Sequence, residues 1–387
     1  MKRIAVTPRP DWQAEMEKIG FDYHSIDGNY WQEDACYVLD EAQVDELERV
    51  TEELHQMYLQ AAAHVVKTGD YARLAIGDVA AGLIESSFRA QSPSLYGRFD
   101  LCYDGKSAPK LYEYNADTPT SLFEASVAQW YWLQAQGGAL AGADQFNSIH
   151  ERLLVEFRAL AQGFGADDKL HFAAVTASTE DTITTQYLQD VAIQAGLTTR
   201  FLDVGAIGYH APNQRFVDEQ GEMIKHLFKL YPWEWLVTES FGQYIAGSGT
   251  QFIEPAYKLL LSNKAILAVL WELFPNHPNL LPAYLEPEKL AQFGADYVQK
   301  PFYSREGASI TLHAQGQTEQ TGGDYGKEGF VYQKAQALPV FTNNQGQVMH
   351  TLIGSWIVGH GSAGIGVRED FTAITKDTSL FVPHVLL

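Results

Sequence analysis

The chain of 387 residues is long enough for two or three structural units, and a hydrophobic content of 46% supplies a sizeable core. Charged residues make up 19% of the chain, a composition that excludes an intrinsically disordered protein. The formal net charge of −21, without any run rich in Lys and Arg, argues against nucleic-acid binding. An acidic protein could attract a cationic substrate such as a polyamine, although many proteins are acidic simply because charge keeps them in solution.

The two cysteines, Cys36 and Cys102, are too few for a disulfide scaffold and lack the spacing of a metal site. Residues 1–10 contain no apolar signal core. No stretch of the sequence approaches 18 consecutive apolar residues, so we expect no membrane span. These features together favour a cytoplasmic protein.

The first third of the sequence predicts two helices and a β-hairpin. The hairpin signal is an Asp-Gly dipeptide at Asp104 between two runs of alternating apolar and polar residues. The longer helix shows apolar residues at helical spacing with glutamates on its other faces. The predicted elements are a helix over 41–67, a hairpin formed by 98–103 and 110–115, and a helix over about 120–136.

The middle of the sequence alternates between helical and strand-like segments, which is typical of a parallel sheet. Helices are predicted for residues 148–163, 182–195 and 217–229, and strands for 171–177, 199–204 and 235–238. A helix over 256–274 follows, then two strands around a polar loop within 296–314 and a series of strands over 329–370. The predicted architecture is therefore α/β followed by α+β.

Four polar side chains are expected to face one another across the hairpin. Arg98 and Asp100 lie two residues apart on one strand, as do Glu113 and Asn115 on the other, and such pairs share a face. Two carboxylates and an amide oxygen suit Mg²⁺, while the arginine suits a phosphate or a carboxylate. The solvent face of an ordinary hairpin would show the same pattern, and spacing alone favours that simpler interpretation.

A second candidate site begins at Lys300, where a predicted strand runs into a flexible polar loop that contains Ser304, Arg305 and Gly307. Backbone N–H groups in such a loop can hold phosphate groups while the lysine supplies positive charge. The glycine spacing of a Walker A motif is absent, and a plain hairpin turn would look similar.

Two further segments allow both a structural and a functional interpretation. Arg368 ends an apolar strand and precedes two acids, so it could contact an anionic substrate or pair with a structural acid. Between Asn115 and Ser121, hydroxyl and acid side chains precede a predicted helix. They could cap that helix, help to bind an anion, or do both.

Taken together, these residues resemble the synthetase domain of glutathionylspermidine synthetase, an ATP-grasp ligase. The resemblance is strongest to stand-alone bacterial homologues that lack the N-terminal cysteine amidase domain, so hydrolysis of the product is not expected. The matching segments span nearly the whole chain in the expected order: 96–100, 111–121, 261–264 with 273–281, 300–309, 332–333 with 338–339, and 354–370.

This resemblance implies an ATP-grasp ligase fold with a preceding pre-ATP-grasp α/β domain whose segments are interleaved with it. Residues 1–147 would hold an N-terminal helical region, the metal-site hairpin and a helix of the synthetase core. Residues 148–250 would form the pre-ATP-grasp-like α/β region. Residues 251–387 would form the ATP-grasp region, with a lid at about 262–300 and nucleotide-binding strands.

The resemblance also implies roles for individual residues. Mg²⁺ is expected at Asp100, Glu113 and Asn115. The residues expected to contact the transferring phosphate or the reacting carboxylate are Arg98, Arg305 and Arg368. ATP is expected to contact Lys264, Lys300, Ser304, Gly307, Ser309 and Gln333. Contacts to the peptide-like acid are expected from Thr118, Thr120, Glu180 and Asp181.

The implied reaction activates a glutathione-like carboxylate with ATP as an acyl phosphate, from which a spermidine-like amine displaces phosphate. It needs no nucleophilic side chain, and Cys102 is better interpreted as a small buried residue. Residues 229–233 and Leu380 depart from the family pattern. The alternatives are therefore a different acid and amine, such as an amino acid, or a nucleotide-binding protein without ligase activity.

Overall fold

The computed structural model describes residues 1–376 and 378–387. The α-helices in this part of the chain are α1 (Trp12–Lys18), α2 (Glu41–Thr68), α3 (Asp78–Arg89), α4 (Gln129–Gln134), α5 (Ile149–Ala161), α6 (Thr179–Gln194), α7 (Trp233–Leu236), α8 (Ile245–Ser248), α9 (Tyr257–Ser262) and α10 (Ile266–Leu273). Short 3₁₀ turns cover Ile26–Gly28, Ala72–Leu74, Gly138–Leu140, Val204–Ala206, Gly242–Tyr244 and Pro287–Gln292. A π-helical segment covers Glu124–Ala128.

The strands are β1 (Lys2–Ala5), β2 (Ala35–Leu39), β3 (Tyr96–Cys102), β4 (Lys110–Asn115), β5 (Leu170–Ala174), β6 (Thr199–Asp203), β7 (Gly208–His210), β8 (Arg215–Val217), β9 (His226–Leu230), β10 (Gln251–Ile253), β11 (Ala283–Tyr284), β12 (Tyr297–Pro301), β13 (Thr311–Ala314), β14 (Gln317–Gln320), β15 (Phe330–Lys334), β16 (Val340–Thr342), β17 (Val348–Val358), β18 (Gly361–Asp370), β19 (Leu380–Val382) and β20 (His384–Leu386). In the described part of the chain they form five sheets, of which the three largest are described below. None of the described helices has the length and apolar character needed to cross a membrane.

The predicted hairpin is present as β3 and β4, at one edge of an antiparallel sheet. The strand order in that sheet is β19-β18-β17-β3-β4, and β16 also pairs with β17. In the hairpin register Asp100 lies opposite Glu113 and Arg98 lies opposite Asn115. The hairpin prediction is therefore confirmed, and its four polar residues occupy two facing pairs. The C-terminal strand series predicted over 329–370 is confirmed as β15 to β18.

Helix α2 confirms the long amphipathic helix predicted over 41–67. It begins with a capping box, in which the Asp40 carboxylate accepts the Gln43 N–H and the Gln43 side chain bonds back to the Asp40 backbone. Such a cap contributes about 1 kcal/mol. The helix ends at Gly69, which adopts the left-handed conformation common at helix ends. The apolar face of α2 packs against β17 and β18 and thereby supports the sheet that holds the hairpin.

The second sheet is parallel, with strand order β10-β9-β5-β6, and helices α5 and α6 confirm the predicted βα alternation. Two predictions within this region are wrong. Residues 217–229 were expected to be helical but contain the end of β8, a turn at Gly221 and most of β9. Residues 235–238 were expected to be a strand but begin within the short helix α7, which follows Pro232. Local patterning misled here because β9 is held between two other strands, the distant β5 on one side and β10 on the other.

The third sheet is antiparallel, with strand order β11-β15-β12-β13-β14, and contains the two strands predicted within residues 296–314. The helix predicted over 256–274 is divided into α9 and α10. The break lies at Asn263, whose backbone is extended and whose side chain bonds to the Leu74 carbonyl and the Ala265 N–H. Lys264 lies in this break, and its N–H donates to the Phe302 carbonyl. The break therefore places Lys264 beside the loop after β12.

The helix expected over about 120–136 is also irregular. It contains the π-helical segment Glu124–Ala128, followed by α4, and so is regular α-helix only in its second half. Ser121, one of the proposed caps, has a positive φ of 63°. The segment therefore enters the helix through a sharp change of direction beside the hairpin.

Candidate active site

Two adjoining cavities lie between the sheet that contains the hairpin, the third sheet, and the helices α6 and α7. The first, the polar cavity, measures about 90 Å³, and the second, the cleft, measures about 450 Å³. The residues that line both are Asp100, Glu113, Lys264, Ser304, Gly307 and Thr375. The two cavities are therefore parts of one site, with the hairpin and the loop after β12 at their junction.

The two acids at the junction each have a cationic partner. Arg98 donates from Nε to Asp100 Oδ1 at 2.7 Å and from Nη2 to Asp100 Oδ2 at 3.1 Å. Lys264 Nζ lies 3.3 Å from Glu113 Oε2. Burial would raise the pKa of Glu113, but Lys264 and Lys300 hold it below its ordinary value. The lowered pKa keeps the Glu113 carboxylate anionic and so suited to bind a cation.

Two lysines approach the same junction, Lys300 from strand β12 and Lys264 from the break between α9 and α10. Lys300, at the end of β12, is buried and donates to the Tyr112 carbonyl at 3.1 Å and to Gln333 Oε1 at 2.9 Å. Burial lowers the pKa of Lys300 to about 8. Lys264 Nζ donates to the Ser304 carbonyl at 2.6 Å. This hydrogen bond fixes the start of the loop that follows β12. The structure therefore brings together the two lysines that the sequence implicated in phosphate binding.

Of the residues expected to contact ATP, some line the cleft and one lies outside it. Ser304 and Gly307 line both cavities. Gln333 also lines the cleft, but its amide is engaged by Lys300 and by the Leu111 carbonyl, to which its Nε2 donates at 3.2 Å. Ser309 lines a different groove, where its Oγ accepts the Tyr325 N–H at 3.2 Å. In this geometry Gln333 orients Lys300, and Ser309 supports the loop after β12.

Arg305 crosses the polar cavity and is held on two sides. Its Nη1 donates to Thr118 Oγ1 at 2.6 Å, and its Nε and Nη2 donate to Glu234 Oε1 at 3.1 and 3.0 Å. Thr120 contributes through its backbone, because its carbonyl accepts from Arg98 Nη1 at 2.7 Å. Sequence reasoning missed Glu234. Its side chain lies in a short helix between two tryptophans, where no local pattern marks it as functional.

Acidic and basic groups share the far wall of the polar cavity. Glu180 lines it, and burial, with the nearby Glu124 and Asp181 carboxylates, raises the pKa of Glu180 to about 8. Burial likewise raises the pKa of Asp181 to about 6. Arg368 also lines the cavity, and its buried Nε has no hydrogen-bond partner among the described residues.

Tyr30 is a second lining residue that sequence reasoning missed. Its hydroxyl donates to Glu124 Oε1 at 2.5 Å and lies 3.2 Å from Ser121 Oγ. Tyr30 and Glu124 are 94 residues apart, and neither belongs to a recognisable motif. Only the folded chain brings this buried pair to the wall beside Glu180.

The donor set fits a nucleotide with a divalent cation. Among the described residues, no group of three or more His, Cys, Asp and Glu side chains is arranged to hold a metal ion by itself. Asp100, Glu113 and Asn115 instead offer two carboxylates and an amide oxygen, the ligand types preferred by Mg²⁺. The surrounding lysines and arginines are the groups that neutralise phosphate charge.

The glutathionylspermidine synthase preATP-grasp family model matches residues 3–387. A Haemophilus influenzae protein named "Putative acid--amine ligase" is 45% identical, with 99% of each chain covered. The Escherichia coli bifunctional glutathionylspermidine synthetase/amidase is 27% identical over 97% of this chain, and the match covers 63% of that protein. Trypanothione synthetase of Crithidia fasciculata is 28% identical over 85% of this chain, and the match covers 53% of that protein.

Among solved structures, a glutathione synthetase-like effector from Globodera pallida, in its apo form, superposes with a TM-score of 0.59. The identity is 9%, and 91% of this chain and 89% of that chain are covered, so the likeness concerns the fold alone. The fold prediction is confirmed by this likeness and by the family match. The chain belongs to the glutathionylspermidine synthase preATP-grasp family and is an ATP-dependent carbon–nitrogen ligase that joins an acid to an amine.

Proposed function

We propose that this ligase uses ATP and Mg²⁺ to join a glutathione-like peptide acid to a spermidine-like polyamine. The observation that carries the proposal is the convergence at one junction of two carboxylates, two lysines and two arginines. These residues are Arg98, Asp100, Glu113, Lys264, Lys300 and Arg305. A protein that only bound a nucleotide would need some of these groups, but not an arginine poised over a second, polar cavity.

The cleft suits the nucleotide and the polar cavity suits the reacting groups. Lys264 and Lys300 would hold phosphates, and Asp100, Glu113 and Asn115 would hold Mg²⁺. The bound nucleotide supplies the phosphoryl group that activates the acid. Within the chain, Arg98 and Arg305 offset the negative charge that gathers between phosphate and carboxylate, which is the main contribution that fixed cations make to such a reaction. The loop after β12 covers the junction and keeps water from the activated acid.

The acid is proposed to occupy the polar cavity with a carboxylate toward Arg368. The unpartnered Nε of Arg368 supports this placement, because a buried donor without an acceptor is costly unless a ligand satisfies it. Thr118 and Thr120 border the same cavity. A peptide with more than one carboxylate, such as glutathione, could reach Arg368 with one and the junction with another.

The amine is proposed to approach past Glu180, although the family resemblance implies that Glu180 and Asp181 contact the peptide-like acid. Glu180 and Asp181 lie near Glu306, which is exposed at the cavity mouth, so the approach carries several acids. A net charge of −21 also favours a cationic substrate. These features support a polyamine over a neutral amine, and the name of the E. coli glutathionylspermidine synthetase/amidase points the same way.

The test is a matrix of acids against amines, read by release of phosphate from ATP and by mass spectrometry of the product. Glutathione, its constituent dipeptides and single amino acids are paired with spermidine, putrescine, ammonia and single amino acids. We expect ADP and phosphate only when both an acid and an amine are present, with glutathione and spermidine the productive pair. Turnover with amino acids alone would contradict this substrate assignment. ATP binding without turnover for any pair would contradict ligase activity on these substrate classes.

A different acid–amine pair is the second candidate, because residues 229–233 and Leu380 depart from the pattern of the glutathionylspermidine enzymes. In the structure Lys229 is fully committed within the protein, since its Nζ donates to Asp117 Oδ1 at 2.7 Å and to the Tyr231 carbonyl at 2.9 Å. This segment therefore offers the substrate no free lysine. The same matrix distinguishes the two candidates by the identity of the product.

A further inference from the structure

We propose that Glu234 is a positioning residue that holds Arg305 over the polar cavity and docks the loop after β12 (residues 302–310) on the parallel-sheet side of the site. The proposal rests on the proposed function, in which Arg305 faces the reacting groups. Glu234 would itself touch neither substrate nor nucleotide. It would act through the guanidinium of Arg305.

The first argument comes from the geometry of the pair. A guanidinium carries five N–H groups in a fixed plane. The contacts to Glu234 Oε1 and Thr118 Oγ1 use three of the five and approach from two sides. The Trp235 ring lies 5.8 Å from the guanidinium carbon. These contacts fix both the position of the Arg305 guanidinium and the orientation of its plane. Its other two N–H groups remain for a ligand in the cavity.

The second argument concerns the rigidity of the partner. Glu234 follows Trp233, which is 1% exposed and donates from its backbone N–H to Asp117 Oδ2 at 2.9 Å. The Trp233 indole donates to the Glu254 carbonyl at 3.0 Å. Asp117 also accepts from the buried Lys229. Glu234 is therefore attached to a buried polar network, and its carboxylate presents a fixed acceptor to the loop.

The third argument links the first part of the loop to the chemistry. The carbonyl of Ser304 accepts from Lys264, which also faces Glu113. The next residue, Arg305, is tied to Glu234 and Thr118. Two adjacent loop residues thus contact the phosphate-binding lysine on one side and the acid-binding wall on the other. If Glu234 releases Arg305, the loop loses its only ion pair to the parallel-sheet side among the described residues.

The first experiment measures the loop directly, without substrates. Trypsin cleavage after Arg305 in the full-length protein is followed by mass spectrometry for the wild type, Glu234→Ala and Glu239→Ala. Glu239 lies five residues further on, is exposed and pairs with Tyr231 rather than Arg305, so it is the matched control. We expect Glu234→Ala to be cut roughly 10-fold faster, because an ion-paired loop opens less often. Glu239→Ala should be cut at the wild-type rate.

The second experiment is a double-mutant cycle on turnover, with the acid–amine pair selected by the substrate matrix. Glu234→Ala should lower kcat roughly 10- to 100-fold with a smaller change in KM, because misplacement of a charged group by about 1 Å costs this much. Glu234→Gln, which keeps one acceptor, should lose less. When Arg305 is already replaced by alanine, Glu234→Ala should lower kcat little further, because Glu234 acts through Arg305.

Equal tryptic cleavage in the wild type and Glu234→Ala would overturn the proposal, as would a loss of kcat that is the same in both Arg305 backgrounds. A rise in kcat for Glu234→Ala would also overturn it, since Glu234 would then hold Arg305 in an inactive arrangement. The cleavage result does not depend on the substrates. It therefore separates failure of this inference from failure of the proposed function.

Discussion

Asp100 and Glu113 face each other across the β3–β4 hairpin, and each is matched with a cation from a different part of the chain. Asp100 is bound within its own strand by Arg98, whereas Glu113 meets Lys264, which lies in the break between α9 and α10. The Arg98–Asp100 pair is nearly fully buried, with side-chain exposures of 5% and 7%, while 29% of Glu113 remains exposed. We therefore expect substitution of Asp100 to lower the stability of the fold more than substitution of Glu113.

The first prediction uses this difference. Glu113→Gln should reduce Mg²⁺-dependent turnover by at least about 100-fold, because even outer partners of metal ligands contribute about 10–100-fold. Its stability in urea should stay close to that of the wild type. Asp100→Asn should lose activity as well, and it should also lose about 3 kcal/mol or more of stability by weakening the partner of the buried Arg98. Asp104→Asn, in the exposed hairpin turn, is the control. Normal turnover in both Glu113→Gln and Asp100→Asn would show that the hairpin does not bind the metal.

The second prediction concerns the close approach of Gly354 to Arg98. A Cβ added at Gly354 would lie 2.9 Å from Arg98 Cδ, so Gly354→Ala must displace the arginine side chain. We expect turnover to fall about 10–100-fold through misplacement of Arg98. Gly82, within α3, has open space around it, and Gly82→Ala should stabilise the protein by about 0.5–1 kcal/mol at unchanged turnover. Wild-type kinetics in Gly354→Ala would show that the Arg98 position is not critical.

The third prediction is a pH dependence of amine binding through Glu180. Burial and the nearby Glu124 raise the pKa of Glu180 to about 8, so its carboxyl is largely neutral at pH 7 and ionises as the pH rises. A polyamine stays cationic up to about pH 9 because amine pKa values lie near 10. The KM for the accepted amine should therefore fall about 2–5-fold between pH 7 and pH 9, the size expected for one partly exposed ion pair.

The control for this prediction is Glu180→Gln, which cannot ionise. Its KM for the amine should stay near the wild-type value at pH 7 over the whole range from pH 7 to pH 9. Its kcat at pH 7 should differ little from that of the wild type. A KM in the wild type that does not vary with pH, or that rises, would contradict the assignment of Glu180 to the amine approach.

The fourth prediction concerns the buried pair of Lys229 and Asp117, which supports the Glu234 segment. Burial lowers the pKa of Lys229, yet the Asp117 partner keeps the ion pair intact at a side-chain exposure of 1% and 0%. Lys229→Met leaves Asp117 without its cation, and we expect a loss of about 3–5 kcal/mol in urea unfolding. Lys225→Met removes an exposed lysine that pairs with Asp168, and its unfolding free energy should match the wild type. Equal stability of the two variants would contradict a structural role for Lys229.

The parts of this protein that sequence reasoning predicted correctly depend on local signals. The hairpin follows from an Asp-Gly turn between alternating runs, and α2 follows from a capped, periodic apolar stripe. The order of the family motifs identified the ligase family, and the site residues on β3, β4 and β12 lie around one junction. The error at 217–229 arose because β9 forms by pairing with β5 and β10, neither of which is adjacent to it in the chain. The error at 235–238 falls on the short helix α7.

By itself the sequence determined the family, the hairpin and the types of residue that meet at the junction of the two cavities. Only the tertiary structure decided that Gln333 orients Lys300, that Ser309 lies in another groove, and that Glu234 holds Arg305. The physical reason is that a side chain's role depends on which partners burial brings within hydrogen-bonding distance. Arg305 and Glu234 are separated by 71 residues, and no periodicity or turn signal in either segment encodes their contact.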